Sequence, residues 1–224
     1  MATLRCGAVV LMMRSENEVE QGSTAHKASY HHGDLRAALL LAAELVLAER
    51  GVEGFTLREC ARRAGVSHAA PAHHFGDVAG LLTAVAALGF ETLTLFMREA
   101  RAGIDEPQAR LRAIGRGYVA FARRYPERFR LTFNRHRLNI EDPALRAAGQ
   151  EAFAELETAI RLVTRAGEGP LEGERLDTLL HVWSLVHGYA HLLLAGQLDR
   201  PLKGGGDGAF DAALEGVLAR LTAQ

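Results

Sequence analysis

The stretch "FTLRECARRAGVSHAAPAHHF", residues 55–75, decides the fold. Its first half has apolar residues at helical spacing and opens with Thr56 and Glu59, which are spaced as in a capping box. Gly65 is a favourable residue at the end of a helix, and Ser67 is a favourable N-cap for a second helix. The stretch therefore predicts two short helices joined by the turn "GVS".

A small apolar core accompanies this pair of helices. Compact side chains at the contact allow close packing, and a pair of this kind can place its second helix in the major groove of DNA. Many short helical pairs do not read DNA, so the pattern alone leaves the function open. The residues predicted to form the core are Phe55, Leu57, Ala61, Ala64, Val66, Ala70 and Phe75.

Helical signals continue along the rest of the chain, whereas the alternation typical of strands is nearly absent. The sequence "GDLRAALLLAAELVLAERG" predicts a helix that ends at Gly51, and Asp77 can cap a longer one. A last helix is predicted over 209–222. Proline is well tolerated at the first position of a helix. The prolines predicted to open the later helices are Pro107, Pro126, Pro143 and Pro170.

These boundaries predict an all-α fold of about nine helices, three short and early and six later. We assign a three-helix helix–turn–helix domain to 27–77 and a roughly six-helix domain to 78–224. The apolar run "GAVVLMM", residues 7–13, is too short to cross a bilayer, which needs ~20 residues. Residues 1–26 are therefore predicted to be a disordered extension, with an export signal as the alternative.

The composition is that of a globular protein, with 224 residues, a net charge of −1 and 48% hydrophobic residues. Two cysteines are too few for a disulfide framework, which favours a reducing cytosol, and Cys60 is predicted to be buried in a helix. The sequence contains no nucleophile elbow, HExxH, phosphate-binding glycine loop or CxxC. We therefore predict no enzyme activity, no catalytic residue, no cofactor and no metal site.

Two groups of histidines need an explanation. His73 and His74 are adjacent and point about 100° apart on a helix, which suits a zinc site poorly. With His68 they can donate to phosphates or to guanine, more strongly when protonated, so DNA contact is favoured over a solvated surface or a metal. His187 and His191 share one helix face, and hydrogen bonding inside the bundle is favoured over half a metal site.

Charge is unevenly distributed along the chain. Residues 98–137 contain eleven arginines against four acidic residues, and the C-terminal third is acidic. A solvated or salt-bridged face is the favoured interpretation, because the acidic C-terminal third offers partners. Proximity to DNA and the binding of an anionic ligand stay open as alternatives.

Residues 30–90, "YHHGDLRAALLLAAELVLAERGVEGFTLRECARRAGVSHAAPAHHFGDVAGLLTAVAALGF", resemble the N-terminal domain of the tetracycline-repressor (TetR) family of bacterial transcription regulators. A second stretch, "VWSLVHGYAHLLLAGQL", is similar to the C-terminal domain of one branch of that family. That branch is marked by Trp and His-Gly, which are Trp183, His187 and Gly188 here. The stretch "YPERFRLTF" also fits the branch.

The resemblance implies a homodimeric, cytoplasmic repressor that binds a double-stranded DNA operator with pseudo-palindromic sequence. It also implies a helical domain that binds an unknown small-molecule effector, a dimer interface formed by the last two helices, and no membrane partner. Residues expected to contact DNA are Lys27, Arg36, Thr56, Arg58, Ser67, His68, Ala69, Ala70, His73 and His74.

Aromatic residues of the middle and late helices are candidates for the effector site, because pockets for small molecules are mostly apolar. Core packing is the alternative for all of them, Trp183 included. The residues expected to contact the effector are Tyr118, Phe121, Phe129, Phe133, Trp183 and His187.

The sequence departs from the family pattern at two positions. Members usually carry Tyr where Ala72 stands and Lys where Val78 stands, and both commonly contact DNA phosphates. Phosphate contacts supply much of the affinity for DNA. The alternative function is therefore a relative with weakened or lost operator binding, which acts as a ligand-binding or protein-interaction dimer.

Overall fold

The computed structural model describes residues 32–220, with side chains from residue 35 onward. This part of the chain has nine α-helices, one short 3-10 helix and no strand, which confirms the all-α prediction. The α-helices are α1 His32–Arg50, α2 Leu57–Ala64, α3 Ala70–Phe75, α4 Val78–Arg101, α5 Pro107–Arg124, α6 Pro126–Thr132, α7 Pro143–Thr164, α8 Glu174–Leu194 and α9 Gly206–Arg220.

The 3-10 helix covers Arg135–Arg137. One compact unit begins at Ala37, within α1. The preceding unit, Met1–Arg36, is described only at the start of α1. The predicted disordered extension over 1–26 lies outside the described residues, as does Lys27.

The ends of α2 follow the predicted signals with one difference. The Thr56 hydroxyl accepts a hydrogen bond from the amide of Glu59 at 3.3 Å, and Gly65 ends the helix with a left-handed φ of 67°. The Glu59 carboxylate was expected to complete a capping box. It instead accepts from Arg62 and Arg63, because two guanidinium groups offer stronger, charge-assisted hydrogen bonds than one backbone amide.

The prediction that Ser67 is the N-cap of α3 is wrong. Helix α3 begins at Ala70, and its N-cap, Ala69, makes no side-chain hydrogen bond. The Ser67 carbonyl accepts from the amide of Ala70 at 3.0 Å, so a tight turn precedes the helix. This later start places Pro71 in the first turn, where its missing N–H costs no helical hydrogen bond.

The loop before α8 is longer than predicted. The helix was expected to begin at Pro170 but begins at Glu174, after Gly173 with a φ of 53°. The Arg161 guanidinium holds the loop open, donating to the Gly167 carbonyl at 2.6 Å and to the Gly169 carbonyl. Carbonyls that bind a side chain are not available to a helix, so the segment stays irregular.

The helices enclose two apolar cores. The first lies between α1, α2 and the first half of α4, and it includes Leu131 of α6 and Leu145 of α7. The second lies between the rest of α4 and helices α5 to α9, with Phe121 and Phe129 completely buried. Each large side chain buried in this way stabilises the fold by about 1.5–3 kcal/mol.

Cys60 belongs to the first core, as predicted, with 0% of its surface exposed. Burial raises the pKa of this thiol to about 11, so the thiol is protonated at neutral pH. Since the thiolate is the reactive form, Cys60 acts as a small apolar side chain.

Helix α4 runs through both cores. Its composition and length would allow it to cross a membrane, but it is half buried inside the protein, and that burial accounts for its apolar sequence. The contact between α4 and α5 is close at Gly117. A Cβ added there would lie 2.5 Å from the Phe96 carbonyl oxygen.

Most arginines of the arginine-rich stretch form ion pairs, which agrees with the salt-bridged face expected there. The Glu155 carboxylate accepts from Arg98 at 2.6 Å and from Arg101 at 2.7 Å. Arg123 donates to Asp211 of α9 at 2.6 Å. The arginines that pair with acidic residues of later helices are Arg98, Arg101, Arg116 and Arg123.

Candidate DNA-reading surface and ligand cavity

Helices α2 and α3 present one continuous surface to solvent. Pro71 is buried and Phe75 packs against the first core, so the opposite side of α3 faces solvent. Thr56 uses its hydroxyl oxygen as an acceptor for the helix cap, so its O–H can still donate to a phosphate. We call this the reading surface, and its exposed residues are Thr56, Arg58, Ser67, His68, Ala69, Ala72 and His73.

Most of the residues predicted to contact DNA lie on this surface. Ala70 and His74 are half-buried at its edge, and Arg36 is exposed on α1. Lys27 lies outside the described residues, so its predicted contact stays a prediction.

The charges of α2 are mostly paired within the protein. Arg63 donates to Glu49 of α1 at 2.7 Å and to Glu59 at 3.0 Å, and Arg62 also donates to Glu59. Hydrogen bonds from Arg62 and Arg63 hold the pKa of Glu59 down at about 2. Arg58 has no ion pair with any residue that the structure describes, which leaves its guanidinium available to a phosphate.

The histidines of α3 do not converge on a point. The rings of His73 and His74 lie 5.5 Å apart at an interplanar angle of 78°. Over the described part of the chain, no three His, Cys, Asp or Glu side chains are grouped so as to hold a metal ion. The two rings can instead act as separate hydrogen-bond donors along the reading surface.

Ala72 lies on the reading surface and Val78 lies beside it, and both are exposed. Val78 is 38% exposed at the start of α4, next to the cap residue Asp77. Neither side chain can donate to a phosphate, so two contacts that the resemblance implies are missing from this surface.

A cavity of about 350 Å³ lies inside the C-terminal helices, within the size range of small-molecule sites. Most of its wall is apolar, and polar groups come from Tyr118, Thr132, Arg135 and Arg146. We call it the apolar cavity. Its apolar lining comes from Phe90, Leu93, Met97, Leu111, Ile114, Phe133, Leu138, Ile140, Leu145, Ala152, Phe153, Leu156, Val182, Trp183 and Val186.

Three of the six residues predicted to contact the effector line this cavity, namely Tyr118, Phe133 and Trp183. Phe121 and Phe129 do not line it, because they belong to the core behind its wall, where Phe129 packs 5.0 Å from the Phe133 ring. Phe121 and Phe129 are therefore not placed to contact an effector in this cavity.

His187 lies on the other side of the cavity wall. Its Nδ1 shares a hydrogen bond of 2.6 Å with the Tyr118 hydroxyl, as expected for a histidine that bonds inside the bundle. Burial, with the nearby His191 as a smaller cause, lowers the pKa of His187 to about 4. The ring is neutral at physiological pH and helps to fix the orientation of Tyr118.

Sequence reasoning missed much of the cavity wall. Gly149, Ala152 and Phe153 of α7 line it, as do Phe90 of α4 and Arg135 of the 3-10 helix. The small residues of α7 repeat at helical spacing, and that pattern was the available signal for a helix with space beside it.

Helix α6 contacts both the apolar cavity and the helix–turn–helix region. Its last residue, Thr132, lines the cavity, and Leu131 belongs to the first core. Arg128, one turn earlier, lies with its Nη2 2.6 Å from Oε1 of Glu44 in α1. A shift of α6 at the cavity therefore changes contacts made by α1.

The Glu44–Arg128 pair is buried, with 10% and 8% of the two side chains exposed. Nη1 of Arg128 also donates to the Thr92 hydroxyl at 3.1 Å, and the guanidinium carbon lies 4.5 Å from the centre of the Tyr125 ring. Oε1 of Glu44 is close enough for ion pairing but lies off the N–H direction, so it accepts no well-aligned hydrogen bond. Burial raises the pKa of Glu44, and Arg128 opposes that shift.

Comparison with known proteins agrees with this arrangement. The profile described as "Bacterial regulatory proteins, tetR family" matches residues 39–85, and "Tetracyclin repressor-like, C-terminal domain" matches residues 111–217. No curated protein sequence matches the chain. Assignment to the branch marked by Trp and His-Gly stays a prediction.

Solved structures share the fold over most of the chain. A protein of unknown function from Rhodococcus sp. RHA1 is 33% identical, with a TM-score of 0.69, over 88% of this chain and 100% of its own. A putative TetR-family transcriptional regulator from Rhodococcus sp. is 23% identical, with a TM-score of 0.60, over 85% and 100%. The TetR family transcriptional regulator PfmR from Thermus thermophilus is 20% identical, with a TM-score of 0.53, over 68% and 84%.

The two profiles cover the helix–turn–helix region and most of the helical domain that contains the apolar cavity. Both describe regulators, and neither describes an enzyme. This chain belongs to the tetracycline-repressor (TetR) family and is a DNA-binding transcriptional regulator.

Proposed function

We propose that the protein is a ligand-responsive repressor that binds a pseudo-palindromic operator as a homodimer in the cytoplasm. The observation that carries this proposal is the position of α6, which lines the apolar cavity through Thr132 and pairs with α1 through Arg128. A cavity coupled to a DNA-reading domain by one short helix is suited to convert ligand binding into a change of DNA affinity.

The coupling acts through a difference in affinity between two states. A ligand that fills the cavity presses on Thr132, the last residue of α6, and on Phe133, which follows it. Movement of α6 changes the Glu44–Arg128 contact and the position of Leu131 in the first core. The effector releases DNA only if it binds the displaced state more tightly than the DNA-binding state.

Exposed apolar side chains on α7 and α8 support the homodimer. A second copy of the chain that covers these side chains would remove them from water and set the spacing of two reading surfaces. The last two helices, α8 and α9, would form most of the interface. The exposed side chains are Phe153, Leu162, Leu176, Leu180, Trp183 and Leu192.

We also propose the division into a reading domain over 27–77 and a ligand-binding and dimerisation domain over 78–224. The reading domain does not have a core of its own, because Leu81, Leu82 and Val85 of α4 complete the first core. The first half of α4 therefore moves with the reading domain.

A second candidate function is a family relative with weakened or lost operator binding that acts as a ligand-binding or protein-interaction dimer. The observations that favour it are the exposed Ala72 and Val78 and the pairing of Arg62 and Arg63 with acidic residues of their own chain. Loss of phosphate contacts reduces affinity for every DNA sequence, including the operator.

A shift assay with the full-length protein and the DNA upstream of its own gene, at several salt concentrations, tests the proposal. We expect a sequence-selective complex at low salt that weakens steeply as salt rises. The matched variant carries Ala72→Tyr and Val78→Lys. Selective binding by this variant together with none by the wild type would establish the second candidate in place of the first.

A further inference from the structure

The mouth of the apolar cavity opens next to a polar cleft. Phe133 forms the wall between them, with its ring centre 4.7 Å from that of His187 in the cleft and 5.6 Å from that of Phe90 in the cavity. Arg135 lines both spaces. We call the second space the histidine cleft, and its residues are Arg130, Phe133, Asn134, Arg135, His136, His187 and His191.

The arginines around the mouth of the cavity differ in whether they already have a partner in the protein. Arg130 donates to Glu127 and, at 2.9 Å, to the Leu194 carbonyl. Arg146 lies 3.3 Å from a Glu141 carboxylate oxygen. The Arg135 guanidinium has no ion pair or hydrogen bond with any side chain that the structure describes.

Neighbouring groups do not compensate the charge of Arg135. No carboxylate lines the apolar cavity or the histidine cleft in the part of the chain that the structure describes. The Tyr118 hydroxyl is occupied by its hydrogen bond with His187 and offers no negative charge. A positive charge therefore stands at the edge of an apolar space, and a carboxylate placed there gains a charge-assisted hydrogen bond.

We propose that the apolar cavity binds an amphipathic anion, with the apolar body inside the cavity and a carboxylate bound by the Arg135 guanidinium at the mouth. This inference rests on the proposed function, because it names the chemical class of the effector. Arg135 follows α6 after two residues, so a carboxylate held there contacts the segment that leads into the coupling helix.

Tryptophan fluorescence of the full-length protein without DNA measures binding directly. Trp183 is the only tryptophan in the sequence and lines the cavity, so its emission reports occupancy. The probes are decanoate and decanol, which have the same chain and differ in charge, with acetate as the carboxylate alone. We expect decanoate to bind about tenfold more tightly than decanol, and acetate to leave the emission unchanged.

Arg135→Gln removes the proposed contact, and Arg137→Gln is the matched control. Arg137 is in the same 3-10 helix and pairs with Glu53, and it does not line the cavity. We expect Arg135→Gln to weaken decanoate binding about tenfold without changing decanol binding, and Arg137→Gln to change neither. Thermal melting of both variants confirms that they are folded.

Equal binding of decanoate and decanol, with no effect of Arg135→Gln, overturns the inference and leaves a neutral, apolar effector. Loss of decanoate binding in Arg137→Gln as well also overturns it, because general surface charge would then explain the preference. Binding of neither probe overturns it too. The DNA shift assay is independent of all three results, so failure of the proposed function would be seen separately.

Discussion

The reading surface and the apolar cavity are built from different kinds of contact. On the reading surface, the exposed side chains of Ser67, Ala69 and Ala72 are short, and Arg62 and Arg63 of α2 pair with Glu59 and Glu49. Around the cavity, aromatic rings pack edge to face, and a buried ion pair joins α6 to α1. Substitutions at the two regions should therefore act on different quantities, DNA affinity at the first and stability at the second.

The largest expected effect is at the buried pair. Arg128→Ala leaves the Glu44 carboxylate buried without its cation, and we expect a loss of about 3–5 kcal/mol in the free energy of unfolding. Arg116→Ala is the control, because its pair with Glu215 is exposed and is worth about 0–1 kcal/mol. Urea unfolding of both variants measures the difference. Equal losses would mean that burial does not distinguish the two pairs.

The cost of Arg128→Ala should depend on pH. The folded-state pKa of Glu44 is already raised by burial, and removal of Arg128 raises it further. A carboxyl group whose pKa is higher in the folded than in the unfolded state stabilises the fold at pH values below its unfolded-state pKa. This stabilisation is lost as pH rises through the folded-state pKa. The deficit of the variant should therefore shrink between pH 7 and pH 5, by at most about 1.4 kcal/mol per pH unit. Unfolding of wild type and variant at each pH measures this deficit. A deficit that does not change with pH would contradict the buried Glu44 carboxylate as its cause.

A smaller difference in stability is expected from the space that the two regions leave around an added side chain. Gly117→Ala places a methyl group against the Phe96 backbone, and we expect it to destabilise the protein by about 1–3 kcal/mol. Ala72→Tyr adds more atoms on the open reading surface and should change stability by less than about 0.5 kcal/mol. Thermal unfolding compares them. A loss for Ala72→Tyr as large as that for Gly117→Ala would show that the reading surface is packed against something.

Val78→Lys should have the smallest effect on stability but a clear effect on the affinity for DNA. The new ammonium group adds one phosphate contact, so affinity should rise several-fold at low salt and the salt slope should steepen by about 1. Fluorescence anisotropy with labelled upstream DNA over a range of salt concentrations measures both. Val78→Gln is the uncharged control. An unchanged slope for the lysine variant would place Val78 away from the DNA backbone.

The helix–turn–helix region could be predicted from sequence because its signals are local. Thr56, Gly65 and Asp77 act through their own neighbours along the chain, and each lies at the helix end that it indicated. The start of α8 was missed because Arg161, from the preceding helix, binds the loop carbonyls. The predicted N-cap role of Ser67 is wrong because Pro71 favours a later start of α3.

The cavity could be predicted only in part. Helical spacing identifies aromatic residues that face inward, but it does not separate Tyr118, which lines the cavity, from Phe121, which fills the core behind it. The difference depends on how α4, α7 and α8 pack around α5. The contact of Glu44 with Arg128 and the place of Arg135 at the mouth are likewise tertiary features, without a local signal in the sequence.

Selection of bound sites from a random DNA library, with the full-length wild-type protein at low salt, tests the central claim most directly. The account predicts an enriched pseudo-palindrome whose half-sites lie about one helical turn, or a multiple of it, apart. Variants with His73→Ala and His74→Ala should enrich it less strongly, because His73 is exposed on the reading surface and His74 lies at its edge. A library that shows no enriched motif after selection would contradict the assignment of α2 and α3 as a reading surface.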